Sequence, residues 1–335
     1  MVRNQNQKPK EKKGKGINTL PLYAALVVLF ILFILYQAER SLSVIFGIAL
    51  FLVIVILIVV EVTNGIKEEG YKRNIIEIVV AVLIVVAFWF SLRALLHTNY
   101  PLDVVPSCSM LPKLHRGDLI VVGGITNPLQ IKARMINVSN STYSNFERNI
   151  QDEFLSCVAY QQSGNRITVS GIAYPGYSLG LFRSTSSGGE VVPDSYQQNS
   201  LVQYSCGIAN VVYKNGTVLS EAYTKSISVN GTVVYNDTNN SVVVYATIPQ
   251  DFFYQLGDSY IVHRAYAVIN ASGNYYVLTK GDNNMGLDLQ YGNYPAALND
   301  LQGRVLYSIP YLGYLKLVLS SSFTEPSGCN STVTG

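Results

Sequence analysis

Three long apolar runs crowd the first hundred positions, at 17–36, 41–60 and 75–96, and the chain beyond them changes to short alternating runs. A helix rising 1.5 Å per residue needs about twenty apolar residues to cross a hydrocarbon layer of ~30 Å, and each run has that length. The first run exceeds the ~7–15 residues of a cleaved signal peptide's core, and no small-residue cleavage site precedes Gln37-Ala38-Glu39-Arg40. The third is the weakest, with Glu77 near one end and Arg93 near the other. The pattern therefore predicts three N-terminal transmembrane helices within 17–97. Phe88, Trp89 and Phe90, near the end of the third, fit an interfacial aromatic belt or plain packing between helices.

After residue 97 the sequence is rich in Tyr, Val, Thr, Ser, Asn and Gly, with the two-residue alternation of β-strands. Val211–Val218 and Ser228–Tyr235 each carry an Asn-Gly between β-formers, and Asn-Gly supplies the positive φ angles of a tight hairpin turn. A third hairpin is predicted from the run around His263, through the turn cluster Asn270-Ala271-Ser272-Gly273-Asn274, to Tyr275-Tyr276-Val277-Leu278-Thr279. If Ile269 pairs near Tyr275, His263 comes opposite Gly281, beside Asp282 and a few positions from Asp288.

Composition reinforces the division. Only 13 % of the 335 residues are charged, about half the usual share for a soluble chain, and the apolar excess lies before residue 97. The net charge of +3 suggests no polyanionic partner, so nucleic acid is not expected. Arg3, Lys8, Lys10, Lys12, Lys13 and Lys15 mark a basic, disordered tail over 1–16; beside an apolar segment they read as a topology signal. Lys67, Lys72 and Arg73 follow the second segment, whereas Arg40 stands alone after the first. This places the N-terminus inside and everything after the third segment outside. All eight Asn-X-Ser/Thr triplets (Asn137, Asn140, Asn215, Asn230, Asn236, Asn239, Asn270 and Asn330) fall in that outer part. There a disulfide is permitted, and Cys157 with Cys206 is the favoured pair. No Cys-X-X-Cys or histidine cluster has metal-ligand spacing, so neither metal nor cofactor is expected.

Candidate chemistry gathers just after the third segment, in Pro106-Ser107-Cys108-Ser109-Met110-Leu111-Pro112-Lys113-Leu114-His115-Arg116-Gly117-Asp118. A serine needs a base to become a nucleophile. Of the three histidines, His97 ends an apolar run and His115 precedes a Gly-Asp turn. His263 lies in a strand-like run whose hairpin partner leads to carboxylates, which can fix an imidazole's tautomer. Local structure alone leaves open whether Ser109 meets that hairpin. Lys113 and Lys280 are alternative bases, but a lysine base must be buried and neither position sits in an apolar run.

Ser107-Cys108-Ser109-Met110-Leu111-Pro112 with Gly117-Asp118 resembles the nucleophile box of type I signal peptidases. Val262-His263-Arg264 resembles the base box of their archaeal and endoplasmic-reticulum branch, and Leu278-Thr279-Lys280-Gly281-Asp282-Asn283-Asn284 with Asp288 its aspartate box. Gly303-Arg304-Val305 with Ile309-Pro310-Tyr311-Leu312-Gly313 resembles the closing box. The boxes cover 102–125 and 258–317, under a third of the chain. The resemblance implies Ser109 as nucleophile, His263 as base, Asp288 as its orienting carboxylate and Asp282 in support. It also implies an oxyanion hole from the Ser109 N–H and the Ser107 hydroxyl; Cys108 between them has no role in that pattern and reads as a small buried side chain. The resemblance thus implies a mainly β, membrane-anchored signal peptidase with a catalytic core over 98–125 and 255–320; the basic tail 1–16, the C-terminal tail 321–335, three helices over 17–97 where the branch typically has one, and an inserted β domain over 126–254 that compact members lack, are read from this sequence itself. The partners implied are preprotein signal peptides with small residues near the cut, the lipid bilayer and the protein translocation channel. The insert reads either as a glycosylated cap or as a docking module. A membrane-anchored surface glycoprotein without activity is the alternative from another class. Histidine in place of the bacterial lysine, with the sequon-rich exterior, points to an archaeon.

Overall fold

The computed structural model describes residues 18–35, 71–150, 154–185, 187–193, 196–198, 201–319 and 326–334, with scattered positions between 49 and 63. The chain divides into two units, 1–92 and 93–335. The expectation of three transmembrane helices is overturned: among the described residues, no helix is long and apolar enough to cross a membrane. The helix Leu20–Leu35 has 16 residues, about 24 Å at 1.5 Å each, short of the ~30 Å required. The helix Tyr71–Leu96 is longer, but its sequence is charge-free only between Glu77 and Arg93, a run of about 22 Å by the same measure. Most of the second apolar run, like the basic tail, lies outside the described residues.

The second unit is built on an eight-stranded sheet. It contains β1 (Leu102–Val104), β2 (Leu119–Gly123), β3 (Arg134–Val138), β12 (Val242–Ala246), β13 (Tyr260–Ala271), β14 (Asn274–Lys280), β15 (Ala296–Ala297) and β16 (Leu301–Ile309). Their order is β1-β2-β16-β12-β13-β14-β15, with β3 paired in parallel to the second half of β13. Both faces of β13 are covered. Tyr266, Ala267, Ile269 and Ala271 join one apolar cluster and Ala265 and Val268 another. A strand buried on both sides reads as a continuous apolar run rather than an alternation, as here. A third cluster, with Val105, Met110, Leu114, Ile120, Val122, Val242 and Val244, underlies the loop between β1 and β2.

Two smaller sheets complete the unit. One has β4 (Phe154–Ser163), β5 (Arg166–Ser170), β6 (Ser178–Thr185) and β7 (Gly188–Val192) in the order β5-β4-β6-β7. The other orders β11 (Thr232–Tyr235), β10 (Val218–Val229), β9 (Val202–Tyr213) and β17 (Ser331–Thr334), with β8 (Gln197–Gln198) against β9. Both Asn-Gly sites are hairpin turns. Val229 pairs with Thr232 across Asn230-Gly231, both at positive φ; Val212 pairs with Val218 across the longer turn holding Gly216. Within the range 126–254, β3 and β12 belong to the main sheet. The smaller sheets do not form a separate globule either. Leu155, Leu181, Tyr204 and Ile227 share one core with Tyr266, Ile269, Leu278 and Leu289. Cys157 is bonded to Cys206, and a second disulfide joins Cys108 to Cys329 across 221 residues.

Candidate active site

The hairpin β13–β14 turns at Ser272-Gly273, both at positive φ, and Asn270 Oδ1 accepts the Gly273 N–H. Ile269 pairs with Tyr276, one residue beyond the expected partner, but a bulge between Ala265 and Ala267 takes up the difference. Below it Arg264 faces Lys280, so the expected register holds where it matters. A bulge re-aims the side chains that follow. His263, only 4 % exposed, lies in the sheet with Phe253 edge-on to its ring at 6.2 Å.

Ser109 sits half-exposed in the loop between β1 and β2. The loop is pinned from beneath. Arg116 Nε donates to the Pro106 carbonyl at 3.0 Å, and the buried Asp118 accepts the His115 and Tyr311 N–H groups. Gly117, at φ 89°, receives Gly313 N–H on its carbonyl and leaves no room for a side chain against Tyr314. The Gly-Asp turn thus fixes the loop on the segment that closes the main sheet.

The structure brings three of the singled-out residues into one line. Ser109 Oγ is 3.0 Å from His263 Nε2, and His263 Nδ1 is 2.6 Å from Asp288 Oδ2. A carboxylate on Nδ1 holds the hydrogen there, leaving Nε2 to accept the serine proton. Asp288 opens a short 3-10 turn, Asp288–Tyr291, and its Oδ2 also accepts from Thr279 Oγ1 at 2.6 Å and the Tyr245 hydroxyl at 3.0 Å. Burial and the neighbouring carboxylate push the Tyr245 phenol far up, so it remains a donor. The other oxygen of Asp288, Oδ1, has no hydrogen-bond partner among the described residues. Ser107 Oγ lies 3.2 Å from Ser109 Oγ.

Asp282 is placed elsewhere. Its two oxygens take Arg264 Nε at 2.7 Å and Nη2 at 2.6 Å, a fork-to-fork pair buried on both sides. Arg264 Nη1 also donates to the Thr238 and Asn240 carbonyls. Asp282 therefore acts on the frame behind the histidine, not on the imidazole. Lys280 is buried, against the sequence-based expectation, and burial pushes its ammonium down to about 8. Its Nζ nonetheless donates to the Gly281 and Asn284 carbonyls, while Lys113 is exposed. Ser109 Oγ faces His263 instead.

Sequence reasoning missed Tyr245, Thr279 and Cys329. Tyr245 is one β-former in a run of them, with no local signal. Thr279 stood in a quoted motif without a role. Cys108 is buried as expected, but as half of a disulfide. Among the described residues no three His, Cys, Asp or Glu side chains form a group able to hold a metal ion. No protein-family model matches the chain, and no curated protein and no solved structure matches it.

Proposed function

We propose that the chain is a serine endopeptidase that removes signal peptides from exported preproteins by a Ser-His-Asp mechanism. The observation that carries the reading is the continuous contact Ser109–His263–Asp288, formed by residues 179 positions apart at its extremes (288 − 109). His263 takes the Ser109 proton as Oγ attacks the scissile carbonyl, and the imidazolium is stabilised by Asp288. The tetrahedral oxyanion is held by the Ser109 N–H and the Ser107 hydroxyl. His263 then protonates the leaving amine, and a water, activated by the same imidazole, releases the acyl-enzyme. The substrate lies extended along β1, an outer strand of the main sheet whose far side carries no strand among the described residues, with small side chains beside the cut. Two disulfides, which use all four cysteines, support work in an oxidising compartment outside the cytoplasm.

The test is incubation of purified protein with a preprotein, wild type beside Ser109→Ala, His263→Ala and Lys280→Ala. Cleavage should disappear in the first two and persist in the third. Loss with Ser109→Ala and Lys280→Ala but not His263→Ala would instead identify a Ser-Lys protease. An inert wild type would favour the surface-glycoprotein alternative.

A further inference from the structure

The segment 326–334 returns to the nucleophile loop. Cys329 is bonded to Cys108, the residue directly before Ser109, and both halves of that disulfide are buried. The segment is itself anchored: Ser331–Thr334 pairs with β9 from Tyr213 to Asn210, and Lys214 N–H donates to the Asn330 carbonyl. Between this strap and the nucleophile loop stands one side chain, Asn283. Its Nδ2 lies 3.2 Å from the Cys108 carbonyl, 3.3 Å from that of Gly328 and 2.9 Å from that of Ser331. Its Oδ1 accepts the Val333 N–H at 2.7 Å, and its own N–H donates to the Ser109 carbonyl at 2.7 Å.

One residue therefore grips the carbonyls on both sides of the Ser109 α-carbon. The peptide unit is planar and trans, so the Cys108 carbonyl and the Ser109 N–H point in opposite directions. Holding that carbonyl fixes where the N–H points. Holding the next carbonyl fixes the plane that follows. We propose that Asn283, backed by the strap and its disulfide, is the positioning residue that aims the Ser109 N–H at the developing oxyanion. This rests on the peptidase reading, because an N–H needs aiming only if an oxyanion forms there. Asn283 does not touch the reacting atoms; it acts through the loop. It also explains why the smaller sheet ends in a strand drawn from 331–334: β17 gives the clamp a rigid backing.

The experiment compares wild type, Asn283→Ala, Asn283→Asp, the double variant Cys108→Ser/Cys329→Ser, and Val234→Ala. Val234→Ala opens a cavity in β11, on the far edge of that sheet from β17, and controls for lost stability alone. Two readouts are taken: kcat and KM on a peptide with small residues before the cut, and hydrogen exchange of the segment 105–114, which needs no substrate. Asn283→Ala should lower kcat about 30- to 300-fold, near the cost of an oxyanion donor, with KM changed less than threefold and faster exchange in 105–114. Asn283→Asp keeps the acceptor for Val333 but turns a carboxylate oxygen on three carbonyls, and should lose at least as much. The serine double variant should fall between wild type and Asn283→Ala in both readouts. Unchanged exchange in 105–114, a kcat loss shared by Val234→Ala, or free exchange with full kcat would each overturn the proposal. Faster exchange in the Asn283 variants, with no cleavage even by wild type, would sink the peptidase reading and its oxyanion role together while leaving the clamp itself in place.

Discussion

Asp282 and Asp288 are six positions apart and do different work. Replacing Asp288 by Ala removes the group that holds the Nδ1 hydrogen, and kcat per folded molecule should fall about 10³- to 10⁴-fold. Replacing Asp282 by Ala strands the buried Arg264 guanidinium. Denaturant titration should show a loss of about 3–5 kcal/mol, and kcat per folded molecule should fall far less. Gly281 gives a steric counterpart: a Cβ there would stand 2.7 Å from the Ser109 carbonyl oxygen, so Gly281→Ala should displace the nucleophile and lower kcat more than it lowers stability. Lys280 gives a pH dependence whose sign is fixed. Unfolded, its ammonium titrates near 10.5; folded, near 8. Between those values the unfolded chain holds the extra proton, so this group makes stability rise with pH from 8 to 10.5, and its full cost is present below 8. Lys280→Met should flatten that part of the stability profile relative to wild type, measured by denaturation at pH 7, 9 and 10. The serine, histidine and both aspartates were visible in the sequence because their chemistry needs particular residue types. Tyr245 was not, because a β-former that donates one hydrogen bond looks like every other β-former in its strand.

Elements show the same split. The helix Asn140–Arg148 begins with Ser139 accepting the Thr142 N–H and seats Tyr143 on Tyr276 of β14, ring centroids 3.8 Å apart. The Tyr143 hydroxyl is buried without a partner among the described residues. Tyr143→Phe keeps the stacked ring and removes the unpaired group, so it should raise stability by about 1–2 kcal/mol in chemical denaturation. Turns were the most legible elements: Asn230-Gly231, and Ser272-Gly273 in the hairpin after His263, stand at positive φ within the predicted turn clusters. Sheet membership was the least legible. β3 and β12 have the same composition as the strands beside them in sequence, and only pairing with β13, where Ile136 meets Ile269 and Val244 meets Val262, 133 and 18 positions away (269 − 136 and 262 − 244), assigns them to the main sheet. The apolar runs misled for a related reason: an apolar run need not be helical along its whole length, and the first, at 17–36, gives a helix of only 16 residues, Leu20–Leu35.

Across the whole molecule, the core and the two disulfides act together. The Cys108–Cys329 bond closes 221 residues, for which chain-entropy reasoning gives about 5 kcal/mol, and the Cys157–Cys206 bond closes 49, for about 4 kcal/mol. Full reduction should therefore move the denaturation midpoint sharply, whereas a mild reductant should not, because Cys108 and Cys329 are shielded from solvent. The main sheet also has a consequence in time. Its first two strands are made early, at 102–123, and their neighbour β16 only at 301–309. At ~5–20 residues per second, about 10–35 s of synthesis separate Ser109 from Asp288. Throughout that interval the Ser109–His263–Asp288 contact is incomplete, so the proposed peptidase activity is withheld while the chain's own loops are still unfolded.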